Sequence, residues 1–178
     1  MDIYEIEETL KSFSVIVDTR EQSTPKASER FESFGVPFER ATLAYGDYCG
    51  TVKLPSGKHL CCPPGPIWPR CVVERKMSLD ELAMCFTRGR DRFRREFERA
   101  HDSGAIVWLL VENGSYEAIE NHRYRSKLNP KAFMSSLMAW SSRYDLRPVF
   151  CRAQTSGKLI KEILYRDVKE RLERGEYG

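Results

Sequence analysis

The sequence predicts an α/β domain: a mixed β-sheet layered by helices. Three observations predict it. Segments of strand length carrying apolar runs recur at residues 14–18, 71–76 (apolar at Cys71-Val72-Val73) and 106–111. Segments with helical spacing of apolar residues alternate with them. The chain has 178 residues, 41% of them apolar, as in an ordinary globular protein, so wholesale disorder is excluded.

Residues 1–12 read as a short polar helix or arm. Residues 14–18 read as a buried strand ending in the Asp18 carboxylate. A helix is expected over 25–34, with Pro25 near its start and Gly35 just past its end. Residues 38–44 read as a second strand closed by Gly46 and Asp47. Residues 50–54 read as a third, followed by the turn Pro55-Ser56-Gly57. Pro63, Pro64, Pro66 and Pro69 exclude a central strand or helix over 61–70 and leave an irregular loop. The chain returns to strand at 71–76.

Ser78 and Glu81 have the spacing of a capping box. Leu79, Leu82, Ala83 and Phe86 then form one apolar stripe. Gly89 interrupts, and Phe93, Phe97 and Ala100 continue a helical pattern to Ser103 and Gly104. A buried strand follows at 106–111, helices at 115–122 and 130–144, a short strand at 147–151, and an amphipathic helix at 157–174. The expected organisation is an N-terminal arm over 1–13 and one domain over 14–178, with a Cys/Pro-rich insertion at about 55–71.

No apolar run approaches the roughly 20 residues of a membrane span. The acidic N-terminus lacks the apolar core of a secretory signal. An intracellular protein is expected, cytoplasmic or associated with the nucleoid or nucleus, with no membrane partner. Its six cysteines are then free thiols by default. Cys49, Cys61, Cys62 and Cys71, with His59 among them, raise a zinc site. There is no C-x-x-C pair, and adjacent Cys61 and Cys62 do not match ligand spacing, so plain thiols in a hairpin or loop are the reading.

Charge is divided along the chain. Residues 1–87 carry 10 basic and 13 acidic side chains, and residues 88–178 carry 19 and 13. Residues 88–99 alone hold six Arg: Arg88, Arg90, Arg92, Arg94, Arg95 and Arg99. Arg suits phosphate contact, and a helix of this kind can follow a nucleic-acid backbone without reading sequence. The bland reading is a solvated, salt-bridged helix face.

The chemistry concentrates at Glu74-Arg75-Lys76. On a strand, Glu74 and Lys76 face one side and Arg75 the other. Asp47 closes an earlier strand region. Two carboxylates from neighbouring strands and one lysine are a minimal kit for metal-assisted phosphodiester hydrolysis. The carboxylates hold a hard cation, and the lysine offsets developing charge or orients the nucleophile. Asp18 could supply a third carboxylate at the same sheet edge.

Residues Val17-Asp18-Thr19-Arg20-Glu21, Gly46-Asp47-Tyr48, Val73 to Asp80, and Gly89-Arg90 resemble the nuclease domain of the XPF family of structure-specific endonucleases, with its G-D…E-R-K-x-x-x-D signature. The resemblance implies a restriction-endonuclease-like, PD-(D/E)XK-type fold. It implies Mg²⁺ or Mn²⁺ at the site and cleavage of branched, flap or junction DNA. Asp47 and Glu74 would be metal ligands, and Lys76 the water-positioning or charge-stabilising group. Asp18 would be an accessory acid near the metal. Arg75 and Asp80 would hold the strand-to-helix corner. Arg20 and Glu21 would line the cleft, and Arg90 would reach a DNA phosphate; the basic run itself, apart from the resemblance, offers Arg88, Arg94 and Arg95 as further DNA contacts. Many family members continue into a tandem helix-hairpin-helix domain, for which this chain ends too soon, so a stand-alone form is expected.

Phe133, Leu137, Trp140 and Tyr144 form a core stripe, with Met134 and Met138 as candidates for a face contacting a second copy or a partner subunit. Two other functions compete with cleavage of branched DNA. A nuclease-like domain could bind DNA or a partner nuclease without cutting. The retained Asp47, Glu74 and Lys76 argue against that. A different PD-(D/E)XK enzyme, such as a junction resolvase, is disfavoured by the E-R-K-x-x-x-D spacing.

Overall fold

The computed structural model describes residues 1–61 and 66–177. Six strands form one mixed sheet in the order β2-β1-β3-β4-β5-β6. They are β1 (Ser14–Asp18), β2 (Phe38–Ala41), β3 (Tyr48–Thr51), β4 (Cys71–Lys76), β5 (Ile106–Glu112) and β6 (Leu146–Cys151). β1 pairs parallel with β2, and β4, β5 and β6 are mutually parallel. β3 runs antiparallel to both β1 and β4. Its register with β1 is four residues long, but only Tyr48 and Val73 pair with β4.

Helices cover both faces and bury the central strands β1, β3, β4 and β5 on both sides. On one face lie α3 (Leu79–Phe86), α4 (Arg90–Asp102), α5 (Tyr116–Glu120) and α6 (Pro130–Tyr144). On the other lie α1 (Ile3–Leu10), α2 (Pro25–Glu32) and α7 (Ala153–Glu173). Side chains alternate accordingly along β4: Val72 joins the α3/α4/α6 core, and Cys71 and Val73 join the α1/α2/α7 core.

The α/β class and most elements match the sequence expectation. β3 instead forms at Tyr48–Thr51, where all four residues are buried against β1. From Val52 the chain turns into a hairpin closed by a Lys53–His59 bridge. α7 begins at Ala153, four residues before Gly157, because the Asn113 side chain accepts the Ala153 N–H at 3.2 Å. Gly157 lies inside α7 where α2 crosses it; a Cβ there would stand 1.9 Å from Ser33 Oγ and 2.4 Å from the Arg30 carbonyl oxygen. α1 buries Ile6 and Leu10 in the α7-side core, and the Met1 amine donates to Tyr177 Oη at 2.7 Å.

Ser78 caps α3 by accepting the Glu81 N–H, but the Glu81 carboxylate reaches back to the Met77 N–H at 2.7 Å rather than to Ser78. Cys49 and Cys71 are buried and Cys61 half-buried as free thiols. Cys62 and the loop prolines Pro63 and Pro64 lie outside the described residues. Among the described residues, no helix is long and apolar enough to cross a membrane.

Candidate active site

Asp47 reaches β4 through a glycine turn. Gly46 has φ +71°, and a Cβ on it would sit 2.1 Å from Val72 Cγ2, so a larger residue could not lie this close to the strand. The Asp47 N–H donates to the Val73 carbonyl at 2.9 Å, and Asp47 Oδ2 accepts the Arg75 N–H at 2.7 Å. Glu74 and Lys76 project from β4 onto the α3/α4 face, with Lys76 Nζ 2.5 Å from Glu74 Oε1. Both are more than nine-tenths buried, and the ammonium lies 5.0 Å from the Phe93 ring centre. Glu74 Oε2 is buried with no hydrogen-bond partner.

Burial raises both acids, and the crowding of negative charge adds to it. Burial, with help from Glu21 and Glu96, pushes the Asp47 carboxyl up to about 6, against the opposing pull of Lys76 and the Arg75 N–H. Burial and the charges of Asp47 and Glu96 push Glu74 up to about 8, with Lys76 opposing. Burial alone would lower Lys76, but Glu74, Cys85 and Asp47 outweigh it and hold the ammonium protonated.

No sequence signal singles out Glu96. It sits in the Arg-rich run of α4, where an acid reads as a salt-bridge partner. In the structure Glu96 Oε1 instead accepts the Gly46 N–H at 3.0 Å, beside Asp47. The N–H of a glycine turn 50 residues upstream leaves no periodic signal.

The other predicted residues divide into four groups. Asp18 is fully buried, and its oxygens accept the Arg20 N–H (2.7 Å), Arg20 Nε (2.6 Å) and the Leu43 N–H (2.7 Å). It clamps Arg20 and the strand end, and its oxygens are already engaged. Glu21 and Arg75 meet on the opposite face of the sheet. There Arg30 and Arg75 bridge Glu21 and Glu112 at 3.0–3.4 Å, and Tyr48 Oη donates to Glu21 at 2.9 Å. This closed ring of two cations and two acids lies behind the Glu74–Lys76 face. Asp80 accepts the N–H groups of Arg125 and Ser126, both at 2.7 Å, and so anchors the loop before α6 to the first turn of α3. Along α4, Arg94 is tied to Glu98 at 3.2 Å and Asp91 at 3.9 Å, and Arg90 lies 5.4 Å from the Trp140 ring. Arg88, Arg92, Arg95 and Arg99 are exposed.

The donors at the cleft fit a hard divalent cation: carboxylate oxygens, one of them orphaned and buried. Among the described residues, no three His, Cys, Asp or Glu side chains are grouped to hold a metal ion. Asp18 is engaged by Arg20 and Leu43, which leaves Asp47 and Glu74 as the direct donors.

The ERCC4 domain family matches residues 17–163, which include every residue of this cleft. Among solved structures, the chain is similar to XPF from Aeropyrum pernix, with a TM-score of 0.61, 22% identity, and 92% of this chain and 69% of that one covered. It is similar too to XPF from Aeropyrum pernix in complex with DNA, with a TM-score of 0.60, 23% identity, and 89% and 66% covered. The chain thus spans about two thirds of those proteins. No curated protein matches it. With the family matched over most of its length, the chain belongs to the ERCC4 domain family, and its sheet and helical layers share the fold of XPF from Aeropyrum pernix.

Proposed function

We propose that the chain is a metal-dependent DNA endonuclease acting on branched, flap or junction DNA. The observation that carries this is the buried Glu74 carboxylate with a free oxygen, facing Asp47 across the β3–β4 boundary and backed by a protonated Lys76. Burying such a group without a partner is costly unless something binds there.

Asp47 and Glu74 would hold Mg²⁺ or Mn²⁺, which when bound polarises the phosphoryl group and makes water more acidic. Asp47 is oriented by the Arg75 N–H, which engages Oδ2. Lys76 keeps its proton and offsets charge developing on the phosphate oxygens, or orients the attacking water. Asp18 fixes the Arg20 guanidinium at the cleft rim, ready for a phosphate. Arg88 just before α4, and Arg92, Arg95 and Arg99 on it, give a sequence-independent path for the DNA backbone.

Labelled flap, fork, junction and linear duplex DNA, incubated with Mg²⁺, Mn²⁺ or EDTA, test this. Metal-dependent cutting of the branched substrates, lost in Asp47→Ala and Lys76→Ala, is the expected result. DNA binding without cutting at any metal concentration would make this a nuclease-like binding domain instead.

A further inference from the structure

We propose that Glu96 on α4 is a third carboxylate of the cation site, a positioning residue that acts by its charge and through the Gly46–Asp47 turn. The inference rests on the cation reading of Asp47 and Glu74.

Its surroundings are unusual for a helix of this composition. Arg92 and Arg99 lie four positions before and three after Glu96, where a surface acid commonly pairs with arginine. Asp91 and Glu98 on the same helix do pair, both with Arg94. Among the described residues Glu96 forms no ion pair. Among the described residues its one hydrogen bond is accepted from the Gly46 N–H, beside two other acids. Its charge is felt at Asp47, Glu74 and Arg20.

Counting formal charges makes the placement intelligible. Asp47, Glu74 and Glu96 bring three negative charges to the cleft, and Lys76 brings one positive. Arg20 is matched by Asp18. Two negative charges remain unmatched, the complement of one divalent cation. The orphaned Glu74 Oε2 is an independent sign that a ligand belongs there. Glu96, already bonded to the turn, would not ligate directly. It would hold the turn and accept hydrogen bonds from water around the cation.

A charge role and a purely structural role separate in Glu96→Gln, which keeps an acceptor for the Gly46 N–H and loses the charge. Mn²⁺ binding is measured by titration of free Mn²⁺ with electron paramagnetic resonance, on the intact chain without DNA. Asp47→Asn serves as the reference and melting in EDTA as the fold control. The expected result is Mn²⁺ affinity about ten-fold weaker in Glu96→Gln, of the order expected for one charge at close range in a partly screened site. The melting temperature in EDTA should be unchanged or raised. In cleavage, more Mg²⁺ should be needed for the half-maximal rate, with the rate at saturating Mg²⁺ largely kept. Wild-type affinity in Glu96→Gln, with loss only in Glu96→Ala, would overturn the charge role and leave a structural cap. No Mn²⁺ binding to the wild type would overturn the cation reading itself.

Discussion

Asp47 Oδ2 accepts the backbone N–H of Arg75 at 2.7 Å, while the Arg75 side chain leaves the opposite face of the sheet to meet Glu21 and Glu112. One residue of the E-R-K run thus supports the site twice, by its backbone in front and its guanidinium behind.

That bond separates charge from geometry at Asp47. Asp47→Asn keeps an acceptor for the Arg75 N–H, so the thermal midpoint in EDTA should hold. Mn²⁺-induced stabilisation should vanish, and cleavage should fall about 100-fold or more, equivalent to ~2.7 kcal/mol of transition-state stabilisation. Differential scanning fluorimetry with and without Mn²⁺, beside a cleavage assay, checks it.

The raised carboxyls give a pH dependence of defined sign. In the cation-free protein Asp47 and Glu74 bind protons to about 6 and about 8, well above their ordinary values. Between an acid's ordinary value and its raised one, the folded state holds protons that the unfolded state has lost. Stability therefore falls as pH rises through that window and levels off above about 8. A divalent cation competes with those protons, so its stabilising effect should grow over the same range. Urea midpoints from pH 5 to 9, with EDTA or Mn²⁺, measure both. A Glu74→Gln protein should lose most of the slope.

Glu112 is a hinge of the buried ring, pairing with Arg30 at 3.4 Å and Arg75 at 3.2 Å. Glu112→Ala leaves two buried guanidinium groups to share Glu21. A loss of about 3 kcal/mol or more is expected in urea unfolding, as for other broken buried ion networks.

Gly157→Ala places a methyl against the Arg30 carbonyl, a backbone atom that cannot swing aside. The expected cost is about 1–3 kcal/mol, as for overpacking elsewhere. The same displacement of α2 would disturb the Arg30 end of the ring, so Gly157→Ala and Glu112→Ala should not be additive in denaturant melts.

Two arginines on one helix should differ as DNA contacts. Arg92 is exposed and one turn before Glu96. Arg94 is held by Glu98 and Asp91. Arg92→Ala should weaken binding several-fold and reduce the salt-dependence slope by about one, while Arg94→Ala should change less. Fluorescence anisotropy on a labelled fork in EDTA, across a salt series, reads both quantities.

The sequence made the two-sided character of β4 legible, because alternation along Val72-Val73-Glu74-Arg75-Lys76 is a local property. The Asp47–Glu74–Lys76 grouping was equally accessible, since a glycine turn and two short runs carry it. The ring of Glu21, Arg30, Arg75 and Glu112 was not, as its members lie up to 91 residues apart and pair only through the topology. For the same reason Glu21 was expected in the DNA cleft and lies behind it. Glu96 was hidden by its neighbours: six arginines within twelve residues make any acid among them look like a surface partner. The early start of α7 was hidden because the group that caps it, Asn113, lies on a distant loop.

β3 and β4 share a single residue pair, Tyr48 with Val73, while the strands on either side are joined by longer registers. The middle of the sheet is thus joined by that one pair and by the Asp47 bonds to Val73 and Arg75, with Asp47 just before the start of β3 and Glu74 on β4. A cation held between Asp47 and Glu74 would act as a rivet across that junction. Under the proposed function, the ion that supports cutting would also tie together the two halves of the sheet where they share the least backbone pairing.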